Sequence, residues 1–133
     1  MRYCLGILAL AVAAFAHDGE TLHGKLAIHS NAPATIETAD HKVIQLAGDE
    51  TTNKVLTDSR LNGFDIQVKG HFTAPTKFEI DRSHEHSLLV RSEGKLQIIT
   101  YYCDVCNIRD YTPGPCRCCQ KELALELRDP DAK

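Results

Sequence analysis

Leu61-Asn62-Gly63-Phe64-Asp65-Ile66-Gln67-Val68-Lys69-Gly70-His71-Phe72 carries the clearest alternation in the chain. Phe64, Ile66 and Val68 fall on one face and Asp65, Gln67 and Lys69 on the other, the period-two pattern of a half-buried strand. Gly70 leaves room for a twist or bulge before Phe72. Shorter pieces of the same kind lie on both sides. Upstream, Leu22 to Ile28 reads as a strand with a bulge at Gly24, broken by Asn31-Ala32-Pro33. Thr35 to Thr38 and Val43-Ile44-Gln45-Leu46 follow as a pair joined by a turn at Ala39-Asp40-His41-Lys42. Downstream come Phe78-Glu79-Ile80, Leu88-Leu89-Val90 and Leu96 to Thr100, the last two joined by a Glu93-Gly94 turn. Before the tail the pattern allows one short helix within Glu50 to Arg60, with a thin apolar face. Many short strands with turns at close intervals predict a mainly β fold, a small antiparallel barrel or sandwich.

A different signal marks the C-terminal end. Five of the six cysteines fall between Cys103 and Cys119. Cys103 and Cys106 make one C-x-x-C pair, and Cys116 and Cys119 a second with Cys118 inside it. Two such pairs can give four thiolates to one tetrahedral ion. Thr112-Pro113-Gly114-Pro115 supplies a rigid reversal that folds the second pair toward the first. Cys103, Cys106, Cys116 and Cys119 are therefore the expected metal ligands, with Cys118 a spare or swap ligand. Zinc is the favoured ion, with iron or copper as alternatives. Zinc ribbons usually place glycine after each pair, whereas Asn107 and Gln120 stand there. The competing reading is disulfide bonding, ordinary for cysteines outside the cytoplasm, although five cysteines leave one unpaired. A third reading is a redox-active thiol whose pKa Arg109 or Arg117 lowers. It is weak because the first pair does not open a lasting helix.

The N-terminus bears on compartment. Arg2 precedes an apolar run from Leu5 to Phe15, and Ala14-Phe15-Ala16 completes the pattern of a secretory signal peptide over residues 1–16. The run falls short of the ~20 apolar residues that span a bilayer. Cleavage after Ala16 would leave His17 as the first residue of a periplasmic or secreted chain. Cys4 lacks the small-residue context of a lipid-anchor site. Removing Arg2 with the leader shifts the net charge from −3 to −4. No basic block exists, which argues against nucleic acid as a partner. No membrane span is expected in the mature chain.

The order of pieces is similar to that of exported OB-like domains: an L-x-G strand, a V-I-Q-L-x-G-D hairpin, a short helix, then L-N-G-F-D-I-Q-V-K-G-H-F and a closing strand pair. The tail Tyr101 to Gln120, Y-Y-C-D-V-C-N-I-R-D-Y-T-P-G-P-C-R-C-C-Q, resembles the ending of a group of uncharacterised exported bacterial proteins with such a domain. The resemblance implies architecture and export, not an activity. The expected organisation is an OB-like barrel over 17–100 and a cysteine-rich, zinc-ribbon-like lobe over 101–133, closed by a strand from Glu122 to Arg128. The expected function is a non-enzymatic binding or scaffold protein with a structural metal site. Its barrel would take an envelope protein, a peptide or a glycan. The alternative is a copper- or zinc-handling protein, or a disulfide-stapled or thiol-redox one.

No catalytic constellation emerges. The serines lack a nucleophile context, and no glycine loop cradles phosphate. Asp49-Glu50 reads as a solvated acidic turn. His84-Glu85-His86 places two imidazoles on one face if extended, a weak second metal site set against a solvated loop. His17 is weighed as a terminal copper grip against a frayed end. His23, His29, His41 and His71 read as surface or strand-edge residues.

Overall fold

The computed structural model describes residues 19–131; the leader, Cys4 and His17 lie outside them. Nine strands and two short helices follow in chain order among the described residues: β1 (Glu20–Ala27), β2 (Thr35–Glu37), β3 (Val43–Ala47), α1 (Glu50–Val55), β4 (Asp65–Ala74), β5 (Lys77–Ile80), α2 (His84–Ser87), β6 (Leu88–Ser92), β7 (Lys95–Cys103), β8 (Ile108–Asp110) and β9 (Ala124–Arg128). A 3-10 turn over Ser59–Leu61 links α1 to β4.

The expected alternation is realised in β4, where Ile66 and Val68 are buried and Asp65 and Lys69 exposed. β1 pairs antiparallel with β2 and with β4, β2 with β3, and β4 with β5. The pairing of β3 with β5 closes a five-stranded barrel, and it is parallel. The expected small antiparallel barrel is present, with this one parallel pair making it mixed. The parallel pair has a simple reason: five strands in a ring cannot alternate direction all the way round, so one pair must run parallel. The chain meets this by crossing from β3 through α1 and β4 before entering β5.

Two glycines let the strands bend enough to close. A Cβ at Gly24 would sit 2.2 Å from the Glu37 carbonyl oxygen, and one at Gly70 would sit 1.9 Å from that of Glu79. Gly24 lies where β1 passes from β4 to β2, with its register unbroken, so it marks a close approach and not a bulge. Gly70 lies where β4 passes from β1 to β5; the irregularity comes later, between Phe72 and Ala74.

The barrel interior is filled by Leu26, Ile36, Ile44, Leu46, Ile66, Val68, Phe78 and Ile80. Burying each such side chain contributes about 1.5–3 kcal/mol. Val55, Leu56 and Leu61, from α1 and the 3-10 turn, join the same core. Asp49 caps α1 by accepting from the Thr52 amide at 2.9 Å, which gives one acid of the Asp49-Glu50 turn a structural role.

β4 also positions the tail. β5 covers only its C-terminal half, and β6 pairs with the remaining Ile66–Val68 edge. β7 follows on β6 through a Glu93-Gly94 turn with both residues at positive φ. β7 then carries β8 and β9 on opposite edges, since both pair with Tyr101 and Tyr102. The expected closing segment is a strand. Cys103, Cys116 and Leu123 belong to the same buried cluster as the barrel core, so the cysteine lobe grows directly out of a barrel-associated strand.

Candidate metal centre

The first cysteine pair sits on the β7–β8 hairpin. β7 ends at Cys103, the chain turns through Asp104 to Asn107, and β8 returns. Asn107 takes φ 54°, the left-handed conformation that reverses the chain. Its side-chain oxygen accepts from the Tyr102 hydroxyl. The Cys106 amide points at the Cys103 Sγ at 3.5 Å.

The second pair is framed the same way. Pro115 bridges to Glu122, the Cys116 amide donates to the Lys121 carbonyl at 2.7 Å, and the Gln120 amide donates to the Cys116 carbonyl at 2.9 Å. Gln120 is left-handed at φ 62°, and the Cys118 amide points at the Cys116 Sγ at 3.4 Å. The residues standing where glycine is usual thus adopt glycine's conformation. Asparagine does so at small cost, glutamine at more.

Folding brings the pairs together. The sulfurs of Cys103, Cys106, Cys116 and Cys119 lie within 4.8 Å of one another. Cys103 and Cys119 are 3.6 Å apart, against about 3.8 Å between sulfurs of a tetrahedral zinc thiolate with Zn–S bonds of about 2.3 Å. All five described cysteines are free thiols. Cys103 and Cys116 are buried, Cys106 is half-buried, and Cys118 and Cys119 face solvent. The Cys119 and Cys118 backbone N–H groups hold the Cys116 thiol down to about 7, the sulfur-directed donation expected of a metal knuckle. Cys106 moves up instead, through thiol hydrogen bonding with Cys118, then burial, Cys119 and Cys116. Crowding thus pushes the Cys116 and Cys106 thiols in opposite directions. A dication fits this donor set, because it lets all four ionise together.

Arg109, one of the two arginines weighed for lowering a thiol pKa, is engaged elsewhere. Its guanidinium lies over the Tyr102 ring at 4.8 Å, donates to Thr100 Oγ1 at 3.0 Å and pairs with Glu126 at 3.2 Å. Across the knuckles, Lys121 pairs with Asp104 at 3.4 Å in the open.

The histidine pair is not brought together. His84 to Ser87 form a single helical turn, in which residues two apart do not share a face. His86 is exposed, whereas His84 is buried. The His84 ring meets the Tyr111 carbonyl at 2.6 Å through Nε2 and Thr51 Oγ1 at 3.4 Å through Nδ1. The expected solvated loop is thus a packed turn, and His84 ties the tail to α1. His23, His29, His41 and His71 are all exposed, as expected of surface and strand-edge positions. Among the described residues, the four cysteines are the converging group of metal-ligating side chains.

One network escaped the sequence reading. The Tyr101 hydroxyl donates to Asp58 Oδ2 at 2.8 Å, Arg60 Nε to Asp58 Oδ1 at 2.9 Å, and Arg60 to the Leu123 carbonyl at 3.0 Å. It fastens the 3-10 turn to β7 and to the segment entering β9. Asp58-Ser59-Arg60 reads as a capped turn, which was the one available signal. Compared with models of known families, with curated proteins and with solved structures, the chain matches none.

Proposed function

We propose that this is an exported, non-enzymatic binding or scaffold protein whose C-terminal lobe is held together by one zinc ion. The convergence of four thiols on two facing knuckles carries the reading. Four thiolates complete a tetrahedral shell and leave no position for substrate, so such an ion contributes stability and not catalysis. Export draws support from the leader-like residues 1–16 and from the resemblance of the tail to that of exported proteins. Ligand binding, to an envelope protein, peptide or glycan, is assigned to the outside of the barrel. There an open depression is lined by His23, Lys25, Glu37, Thr38, Asp65 and Arg91.

The test is native mass spectrometry of the chain recovered from an exporting host, with thiol titration on the same sample. One zinc per chain and at least four reduced thiols are expected, and chelation should unfold the lobe. An ion-free chain with two disulfides would refute the metal reading. A mature N-terminus other than His17 would refute the cleavage assignment.

A further inference from the structure

We propose that the cysteine lobe is a peroxide-sensitive switch: hydrogen peroxide oxidises Cys119, Cys103 closes a disulfide onto it, and the ion is released. This rests on the four-thiolate reading above and adds to it what controls the ion.

The four converging sulfurs lie within 4.8 Å of one another, and those of Cys103 and Cys119 are at 3.6 Å. This close pair joins opposite environments. Cys103 ends β7, is 2% exposed and belongs to the continuous core, whereas Cys119 is open to solvent. A small oxidant therefore meets Cys119 first, and the sulfur in contact behind it is that of Cys103. An accessible thiolate with a second thiol in reach is the arrangement of a redox-sensing cysteine. A disulfide brings its sulfurs to about 2.0 Å, so the pair must close further. Cys103 is held in the β7–β8 ladder opposite Ile108. Cys119 lies on the exposed turn over residues 117–119, whose base is tied by the Cys116–Lys121 and Gln120–Cys116 backbone bonds. The turn moves and the strand stays. Because the bond takes one sulfur from each C-x-x-C pair, it leaves only Cys106 and Cys116, one ligand on each knuckle, and two thiolates do not hold the ion as four do.

The chemistry balances with peroxide as the oxidant. The Cys119 thiolate attacks one peroxide oxygen: an S–O bond forms, the O–O bond breaks and hydroxide leaves. The Cys103 thiolate then attacks the Cys119 sulfur, forming the S–S bond as the S–O bond breaks and a second hydroxide leaves. Two protons from solvent convert the hydroxides to water. The two sulfurs give up two electrons, and the peroxide takes them. A dithiol reverses the step by thiol–disulfide exchange, becoming a disulfide itself and returning both sulfurs to the site.

Peroxide titration of the zinc-loaded mature chain, with a chromophoric zinc indicator present, tests this. One zinc should be released per chain as the free thiols fall from five to three, and peptide mapping should find the bond between Cys103 and Cys119. Dithiothreitol should restore all five thiols and zinc uptake. Cys118→Ala removes the other exposed thiol and should leave release unchanged. Cys119→His keeps a nitrogen ligand, as in zinc sites of three cysteines and one histidine, and should hold its ion through the exposure that empties the parent. Zinc retained by the parent under excess peroxide, or a disulfide joining any other pair, overturns the switch and leaves the structural site standing. If Cys119→His binds no zinc, the disulfide map of the parent decides alone. If the parent itself takes up no zinc, the four-thiolate reading falls and the switch with it.

Discussion

Replacing Tyr101 by phenylalanine removes one oxygen from the most completely buried polar contact between the barrel and the lobe. The Tyr101 ring is 0% exposed, its hydroxyl donates to Asp58 Oδ2 at 2.8 Å, and the Asp58 side chain is only 6% exposed. The ring's packing survives the change, including the Arg60 guanidinium 5.3 Å from its centroid. What is lost is a hydrogen bond to an ionised acceptor, worth about 1.5–3 kcal/mol when water does not replace the donor. Arg60 still holds the other carboxylate oxygen, so the lower half of that range applies, about 2 kcal/mol. In a domain of this size that lowers Tm by roughly 8 °C.

The acid limb gives a second signature. Burial pushes the Asp58 carboxyl up, but hydrogen bonds from Arg60 and Tyr101 outweigh it and the net shift is downward. Asp58 therefore stabilises the fold above the ordinary carboxylate range, and that contribution is lost as pH falls through its lowered value. Tyr101→Phe should shrink the difference in stability between neutral and acid pH as well as the stability itself. Urea unfolding at a series of pH values measures both. Because Arg60 also holds the Leu123 carbonyl, amide exchange in β9 should quicken more than in β2. A change under about 0.5 kcal/mol at neutral pH, or a parallel displacement of the whole pH curve, would refute the reasoning.

Three further outcomes are expected. Asp49→Ala should cost about 1 kcal/mol in urea unfolding by uncapping α1. Hydrogen bonds from the Thr52 amide and from the Thr51 hydroxyl hold Asp49 at about 2, so the parent should lose this increment only as pH drops from about 4 toward 2, and a variant equally stable at neutral pH would discount the cap. Gly70→Ala should destabilise by more than the usual 1–3 kcal/mol of overpacking, because its Cβ would meet backbone at 1.9 Å; a soluble variant with unchanged Tm would show that β4 and β5 are not that close. Gln120→Gly should raise Tm by a few degrees, since glycine removes a left-handed penalty of about 1–2 kcal/mol at some cost in chain entropy. Metal stoichiometry by mass spectrometry should stay the same, and a lower Tm would mean the glutamine side chain contributes more than its backbone costs.

The strands were legible because their burial is one-sided. In β4 the alternation of Ile66 and Val68 against Asp65 and Lys69 is the imprint of a barrel wall, and any chain burying one face of a strand must display it. The parallel β3–β5 contact leaves no such imprint, since alternation is indifferent to the direction of the neighbouring strand. It follows from counting strands in a closed ring, which β6 and β7 do not join. The glycines show the same limit. The pattern allows a bulge at Gly24 and a twist or bulge at Gly70, but each glycine is required by a carbonyl from a different strand, and nothing local in the sequence names that strand.

At the cysteines the spacing carried most of the geometry, because a C-x-x-C turn is short enough for local sterics to set where both sulfurs point. Asn107 and Gln120 show that the turn imposes its conformation even where glycine is missing. His84 illustrates the opposite case. Its partners, Thr51 and the Tyr111 carbonyl, come from distant segments, so a polar H-E-H run that looks solvated in sequence can be packed in the fold. The same asymmetry explains why five thiols read as four ligands and one spare. Spacing decides which sulfurs converge, whereas exposure is a property of the folded lobe. Cys118 and Cys119 differ from Cys103 and Cys116 less in chemistry than in the core behind them, which leaves one end of the cluster exposed.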